Sequence, residues 1–562
     1  MRASSITAFL GRGPTSIVPT SEEGRSLTGA HASSPFSGPA DGLAPISRPP
    51  DVHLINTFRD PFNNAVATAR TCYSPTVVLP EAVDKDEKSR LQRDAIAQST
   101  YKAGHHTTLQ HSSFQFTLEN VSRQFIWSFL HSHPFYNSEQ VSQRYVTVGP
   151  DSVTVPPLKE PALSHYRETA QMLMGAYRQM TDLLMPTVRA EYRKIFPLRN
   201  PDQKPWAKFV QRKSQEVARY VLPVATHAHL YHTISGLTLH RYHRLCQSFD
   251  TPWEQRIVVD KMIEAVRAVD PLFAERMEDP LPLEKTPEFR AHREFFEDTR
   301  APTREFLKEF DVRLKRKSSC LVDYKINGER VLAQAVRSVL GVPQSLLNDD
   351  DAIDRVLNPA RNHYLGESLN LTTHSKLCRT LSHMHFTFAK KISHTADSQD
   401  QRHRMTPGSR PILSGHFVPD QPDYITPILI RQNLEAKEFY DKTMAGLWKR
   451  IERLLNEGVS EEFALYLLPN AVSIRFEESG DLLNFHHKWT KRLCYTAQEE
   501  IWKTSQEEVL QVQQVAPRVA RHLGPPCQLR AVSATRPFCP EGDRFCGVVV
   551  WKKKVEDYSR II

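Results

Sequence analysis

Two separate stretches of this chain align without a gap, and that repetition limits the folds open to it. LINTFRDPFNNAVATAR (54–70) and LVDYKINGERVLAQAVR (321–337) each read as a short apolar strand, a turn and an Ala-rich helix ending in Arg. Further elements recur in the same order. FQF (114–116) and FTF (386–388) alternate as strand segments facing a core. VARYVLP (217–223) and FALYLLP (463–469) read as helix ends stopped by Pro. Amphipathic helices are expected before them, around 162–185 and 428–456, the second closed by Gly458. The fold class predicted is α+β: two tandem copies of one domain, at 51–275 and 318–505. The charged stretch 276–317 reads as a helical linker with Pro breaks, and 506–562 as a Cys-containing tail.

Composition agrees with more than one core, because 562 residues exceed what one ordinary core supports. Hydrophobic residues are 40% and charged residues 24%, a globular balance. No run of about 18 apolar residues is present, so no membrane partner is expected. The net charge of +9 and pI near 9.0 suit anionic ligands such as nucleotides, and equally a solvated basic surface. Eight scattered cysteines are too sparse for a disulfide scaffold and point to a reducing cytoplasm. His522, Cys527, Cys539 and Cys546 form one candidate zinc set by residue type, although no CxxC knuckle is present; ordinary thiols are the other reading. Residues 1–50 are rich in Ser, Gly, Pro and Ala and read as a disordered tail. Their basic, acid-free start, MRASSITAFLGRG, leaves an organelle presequence as the alternative.

Two polar segments stand out for chemistry. NSEQVSQRY (137–145) gathers Glu139, Gln140, Ser142, Gln143 and Arg144, a hydrogen-bonding set in which Gln, Ser and Arg can donate to an anionic ligand. Arg144 and Arg219 carry paired guanidinium donors that match phosphate oxygens. Arg402, His403 and Arg404 put two cations and an imidazole on one short stretch, which suits a pyrophosphate or is simply a basic loop. His105, His106 and His111 are expected to be hydrogen-bonded structural residues, and no metal is assigned to them.

GHHTTLQHSSFQFTLENVSRQF followed by SEQVSQRYV resembles the core of the flavin-dependent thymidylate synthases, and ARTCYS (69–74) resembles the end of that family's first helix. RHR at 402–404 follows Phe388 at a spacing similar to the family's own, and NFHHKWTKRLCYTAQEEI (484–501) resembles its C-terminal helices. The resemblance covers about 51–505, once per half. Its departures are complementary. The first half has His131, Ser132 and His133 in place of RHR, and Cys246 where the family has its catalytic Arg. The second half keeps RHR and Arg492 but has Ile412 where the cassette Ser belongs, and Leu465 opposite Arg219.

The resemblance implies a pseudo-dimer of synthase-like domains with a site assembled across the halves. It implies reductive methylation of dUMP to dTMP, with FAD as cofactor and NADPH and methylenetetrahydrofolate as co-substrates. Arg492 takes the catalytic place, activating the uracil ring at N3. Arg402, His403, Arg404, Thr107, Glu139, Asp481 and His487 fall at flavin-contact positions. Glu139, Gln140, Ser142, Gln143, Arg144, Arg219 and Gln399 fall at substrate positions. One extra residue before Ser142 leaves the roles of Glu139 and Gln140 open, and Asp481 and His487 replace expected Asn residues. Family members are homotetramers, so a dimer of double-domain chains is expected. Two rivals remain: a flavin- or nucleotide-binding protein of this fold without turnover, and a nucleic-acid-binding flavoprotein. The second needs a basic groove with interleaved aromatics, which the sequence lacks, so nucleic acid is not an expected partner.

Overall fold

A computed structural model of the chain describes residues 47–562 apart from 132, 248–249 and 297–298. Most of the expected N-terminal tail, and Ser132 of the HSH stretch, lie outside the described residues. Ser47, Pro49 and Pro50, at the end of that tail, are tied down by hydrogen bonds with Val155, Asn120 and Lys261.

The first half runs β1 (Asp51–Thr57), α1 (Pro61–Thr71), β2 (Ser113–Ser122), α2 (Arg123–His131), β3 (Tyr136–Gln140), α3 (Ala162–Ile195), α4 (Trp206–Ala218), β4 (His227–Ser235) and α5 (Gly236–Arg244). Its strands form an antiparallel sheet in the order β1-β2-β4-β3. The second half runs β5 (Ser319–Tyr324), α6 (Gly328–Leu340), β6 (His385–Ser393), α7 (His394–Asp400), α8 (Leu434–Asn456), α9 (Glu461–Leu465), β7 (Ser473–Asp481), α10 (Leu482–Arg492) and α11 (Glu499–Val515). Its sheet has the order β5-β6-β7, also antiparallel.

The repeat read from sequence reappears in register. β1 shifts register on β2 between Leu54 and Asn56, and β5 shifts on β6 between Leu321 and Asp323, at aligned positions. Phe114, Phe116, Phe386 and Phe388 are buried, as alternation along a one-sided strand requires. α3 buries Tyr166, Ala170, Leu173, Tyr177, Met180, Leu184 and Val188 at three- and four-residue steps. The helix continues ten residues past the expected end at 185, because Val188 and Tyr192 extend the buried stripe. Gly458, at φ +82°, follows the end of α8, a conformation that favours Gly.

Among the described residues three large cores result. The residues from β2, β4 and α5 fill one, and those from α6, β6, α10 and α11 fill another. The third joins the halves: Leu173, Tyr177, Met180 and Leu184 of α3 share it with Tyr440, Met444, Leu447 and Ile451 of α8. Burying each such side chain contributes about 1.5–3 kcal/mol, so neither half keeps a dry surface alone.

The contacts between halves come in matched sets. Val224 and Ala225 N–H donate to Leu468 and Tyr466 C=O, each at 2.8 Å, while Asn470 and Ala471 N–H donate to Leu222 and Tyr220 C=O at 2.8 and 3.0 Å. Glu254 accepts from Ser122 of its own half and Tyr466 of the other; Glu500 accepts from Ser393 of its own half and Tyr220 of the other. These carboxylates are buried but hydrogen-bonded, which removes the penalty of an unmet polar group.

Two boundaries differ from the sequence reading. The cut at 505 falls inside α11, and the segment after it is not a loose tail: Cys527, Leu529, Val550, Val555 and Tyr558 are buried, most of them in the second half's core. Between the halves, helices Pro287–Phe296 and Ala301–Arg313 carry Phe289, Thr303 and Phe310 into contact with the second half, so this stretch packs rather than merely linking.

Candidate functional site

Residues from both halves converge where β3 faces the loop after α7. Strand alternation turns Glu139 to solvent and Gln140 inward. Glu139 meets Arg402 across the halves at 3.4 Å, and Gln140 accepts from Arg123 Nη1 at 3.2 Å. The two residues left open by sequence therefore have different partners. Arg404 donates to Pro134 C=O at 3.0 Å and Asn137 Oδ1 at 3.3 Å, with its guanidinium over the Tyr136 ring.

The turn after β3 sets the cassette. Ser142 Oγ accepts from Arg144 N–H at 3.3 Å, a local turn bond that orients the arginine. Arg144 then reaches Glu216 of α4 at 2.5 Å and Thr496 C=O of the second half at 2.8 Å. Gln143 is buried and accepts from Asn470 at 3.2 Å. Arg219, just past α4, is buried and donates to Gln498 at 2.5 Å. Gln399 donates to the same Gln498 oxygen.

Arg492 ends α10, where a cation complements the helix dipole. Its Nε donates to His403 Nε2 at 2.9 Å and its Nη2 to Gln399 C=O at 2.6 Å. His403 Nε2 must be unprotonated to accept, and burial of the ring, then Arg492 and Lys488, hold the imidazole well below its usual pKa. His487 stands 6.0 Å from His403, ring to ring. Beneath this loop is a fully buried charge cluster. Lys390 lies 2.9 Å from both Asp400 and Glu478, and Lys488 lies 2.6 Å from Asp400.

The electrostatics are dominated by buried cations. Burial lowers Arg492 to about 10, Asp400 pulling it back and Arg144 and Arg402 pushing further down. Burial opposes ionisation of Glu216, but Arg144, Lys213 and Arg219 outweigh it and hold the carboxyl far below the usual range. Lys213 is lowered to about 8 by burial, with Glu216 opposing. Buried cations gathered in this way favour an anion beside them.

Three expected groups have settings of their own. Thr107 is exposed in the 3-10 helix His106–His111, which packs on α1 and α5, and it does not join this cluster. Asp481 caps α10, accepting from Asn484 N–H at 2.9 Å, so its carboxylate is used locally. The zinc set is not assembled: His522 bonds to Asp354 at 2.9 Å, and among the described residues no group of three or more His, Cys, Asp or Glu could hold a metal ion. Cys527, Cys539 and Cys546 instead line one small cavity with Cys494. Sequence reasoning also passed over Gln498, Glu216 and Arg123. Glu216 precedes Arg219 by one helical turn, a spacing that could have flagged it.

Among comparisons with known proteins, a family model described as "Thymidylate synthase complementing protein" matches residues 53–272 and 320–518. A flavin-dependent thymidylate synthase of Sulfurisphaera tokodaii is 32% identical over 151 residues, covering 26% of this chain and 57% of that one. Another from Saccharolobus solfataricus is 30% identical over 149 residues, covering 26% and 56%. The chain thus spans a little over half the length of these relatives. A crystal structure of the UMP/dUMP methylase PolB from Streptomyces cacaoi, bound with 5-Br dUMP, aligns over 41% of this chain and 94% of its own. Its identity is 17% and its TM-score 0.29, too low to bear on the fold.

Proposed function

We propose, from the premise that this chain belongs to the thymidylate synthase complementing protein family, the flavin-dependent thymidylate synthases, that it converts dUMP to dTMP at a composite site between its halves. The observation that carries this is the meeting of complementary residues. Arg144 and Arg219 of the first half bond to Thr496 and Gln498 of the second, and Arg402 of the second bonds to Glu139 of the first. What each half lacks, the other supplies beside it. The two copies accordingly act as a pseudo-dimer.

In this reading Arg144 and Arg219 bind the nucleotide phosphate, with Ser142 holding the turn that aims Arg144. Arg492 presents a fixed positive charge at uracil N3. It stays protonated at neutral pH, since burial lowers it only to about 10. That charge lowers the cost of the anion that makes C5 nucleophilic. His403, kept neutral, holds the Arg492 guanidinium through Nε2 rather than repelling it.

The donor set fits FAD. Arg402 and Arg404 are two guanidiniums on one loop whose partners are an exposed carboxylate, an amide and a backbone carbonyl, leaving donors for a pyrophosphate. His487 stands at the same edge. When bound, FAD supplies the hydride, recharged by NADPH, with methylenetetrahydrofolate giving the carbon.

The mirrored combination is closed, which supports one site per chain. Leu465 replaces Arg219 and Cys246 replaces Arg492, and Cys246 is buried with its thiol pushed up to about 11, mainly by burial. Glu462 is a buried acid pushed up to about 8, by burial and then Glu254. Arg300, from the stretch between halves, pairs with Glu461 and donates to Ser414 C=O at 3.1 Å. Leu283 and Phe289 cover Ile412.

The test is anaerobic turnover of the full chain with FAD, NADPH, methylenetetrahydrofolate and dUMP. Flavin bleaching by NADPH and dTMP formation are expected. Bound flavin and dUMP without dTMP would favour the binding-protein reading instead.

A further inference from the structure

Arg123 opens α2, and nothing in the cassette reading assigns it a role. Its position is fixed from behind. The preceding Ser122 gives both its N–H and its hydroxyl to Glu254 at 2.6 Å, and Arg123 N–H itself donates to Thr226 C=O at 3.0 Å. The residue is only 5% exposed. One guanidinium nitrogen meets a neutral amide, Gln140 Oε1, and among the described residues buried Nε has no partner. Among the described residues no carboxylate pairs with Arg123, and its charged neighbours are two further cations, Arg219 and Arg402. Arg219 Nε is likewise buried without a partner.

A buried guanidinium costs several-fold more desolvation than a neutral group and is normally matched by an anion. Here three arginines from three elements stand together, with Glu216 committed to Arg144 and Lys213. Burial first, then Arg219 and Arg402, pulls Arg123 down to about 9, the sign of a cation lacking its counter-charge. The residue has no cationic counterpart in the mirrored arrangement, where His394 opens α7 and faces Gln124.

We propose that Arg123 is a further substrate-binding residue, donating to the phosphate dianion of the nucleotide together with Arg219, and so selecting the monophosphate over the nucleoside. Gln140 orients it, leaving Nε for the ligand. This inference rests on the dUMP reading above.

The experiment compares the full chain with Arg123→Gln and Arg123→Lys. It measures KM and kcat for dTMP formation, calorimetric binding of dUMP and of deoxyuridine, and flavin retained. Arg123→Gln should raise KM and Kd for dUMP about tenfold or more, the loss of one charge-assisted contact, with kcat and flavin content nearly unchanged. Deoxyuridine binding should not change. Arg123→Lys should recover part of the dUMP affinity while keeping the charge. An unchanged dUMP affinity, or equal losses for dUMP and deoxyuridine, would overturn the proposal. If Arg123→Gln fails to fold, Arg123→Lys decides: wild-type discrimination between the two ligands overturns it, reduced discrimination supports it. Wild-type chain that binds no dUMP would overturn the functional reading itself, and this inference with it.

Discussion

Lys390→Met probes the charge cluster beneath the RHR loop. Lys390 Nζ lies 2.9 Å from Asp400 and Glu478 and 3.1 Å from Glu508, with every side chain at 0% exposure. Trp489 and Ser319 also donate to Glu508, at 2.8 and 3.0 Å. Removing one partner of such a group leaves uncompensated buried charge and costs about 3–5 kcal/mol. Met conserves most of the side-chain volume, so packing loss adds little. The first half supports this choice. Leu118 stands two residues past Phe116 as Lys390 stands two past Phe388, so the first half buries an apolar side chain at the aligned position. The assay is amide hydrogen exchange on β6 and β7 in rising urea, because a chain of this size need not unfold in one step. Opening free energy should fall by about 3–5 kcal/mol, and Glu508→Gln added to Lys390→Met should restore roughly half by rebalancing charge. The pH sign is fixed by Asp400. Burial opposes its ionisation, but Lys390, Lys488 and Arg410 outweigh that and hold it well below 3.8. Its stabilisation is therefore complete above the ordinary Asp value and is lost only as pH falls through the lowered one. A single-variant loss under about 1 kcal/mol, or a double variant as poor as two independent losses, would refute the reasoning.

Arg492→Ala should cut dTMP formation by roughly 10²–10³-fold or more while flavin stays bound; flavin loss in the absorbance spectrum would make the residue structural. Cys246→Ala should leave kcat unchanged, since its place in the mirrored arrangement is closed; a large fall would argue for a second working site. Glu462→Gln should stabilise the chain at pH 8 and do little at pH 5. The native carboxyl titrates near 8 against 4.5, so native stability falls as pH rises through that window, by on the order of 2–4 kcal/mol in thermal or urea unfolding. Light scattering should give the mass of a dimer of double-domain chains, and a monodisperse monomer would contradict that expectation.

The gapless repeat, the strand alternation of FQF and FTF and the stripe of α3 were all legible, because each follows from local periodicity. The identities lost and kept in each half were legible too, as a pattern of residues. The partners were not. Nothing in the order of residues says that Glu139 meets Arg402, that Gln498 serves both Arg219 and Gln399, or that His522 turns to Asp354 rather than the cysteines. Those pairings depend on how α3 and α8 share one core and on the matched hydrogen bonds that lock residues 220–225 against 466–471. The same is true of charge. Sequence counts Arg123 as one of many basic residues, whereas burial beside Arg219 and Arg402 makes it a cation in want of an anion. Local periodicity determines elements because it acts over a few residues; burial and counter-charge act across the packed interior, and only the tertiary structure decides them.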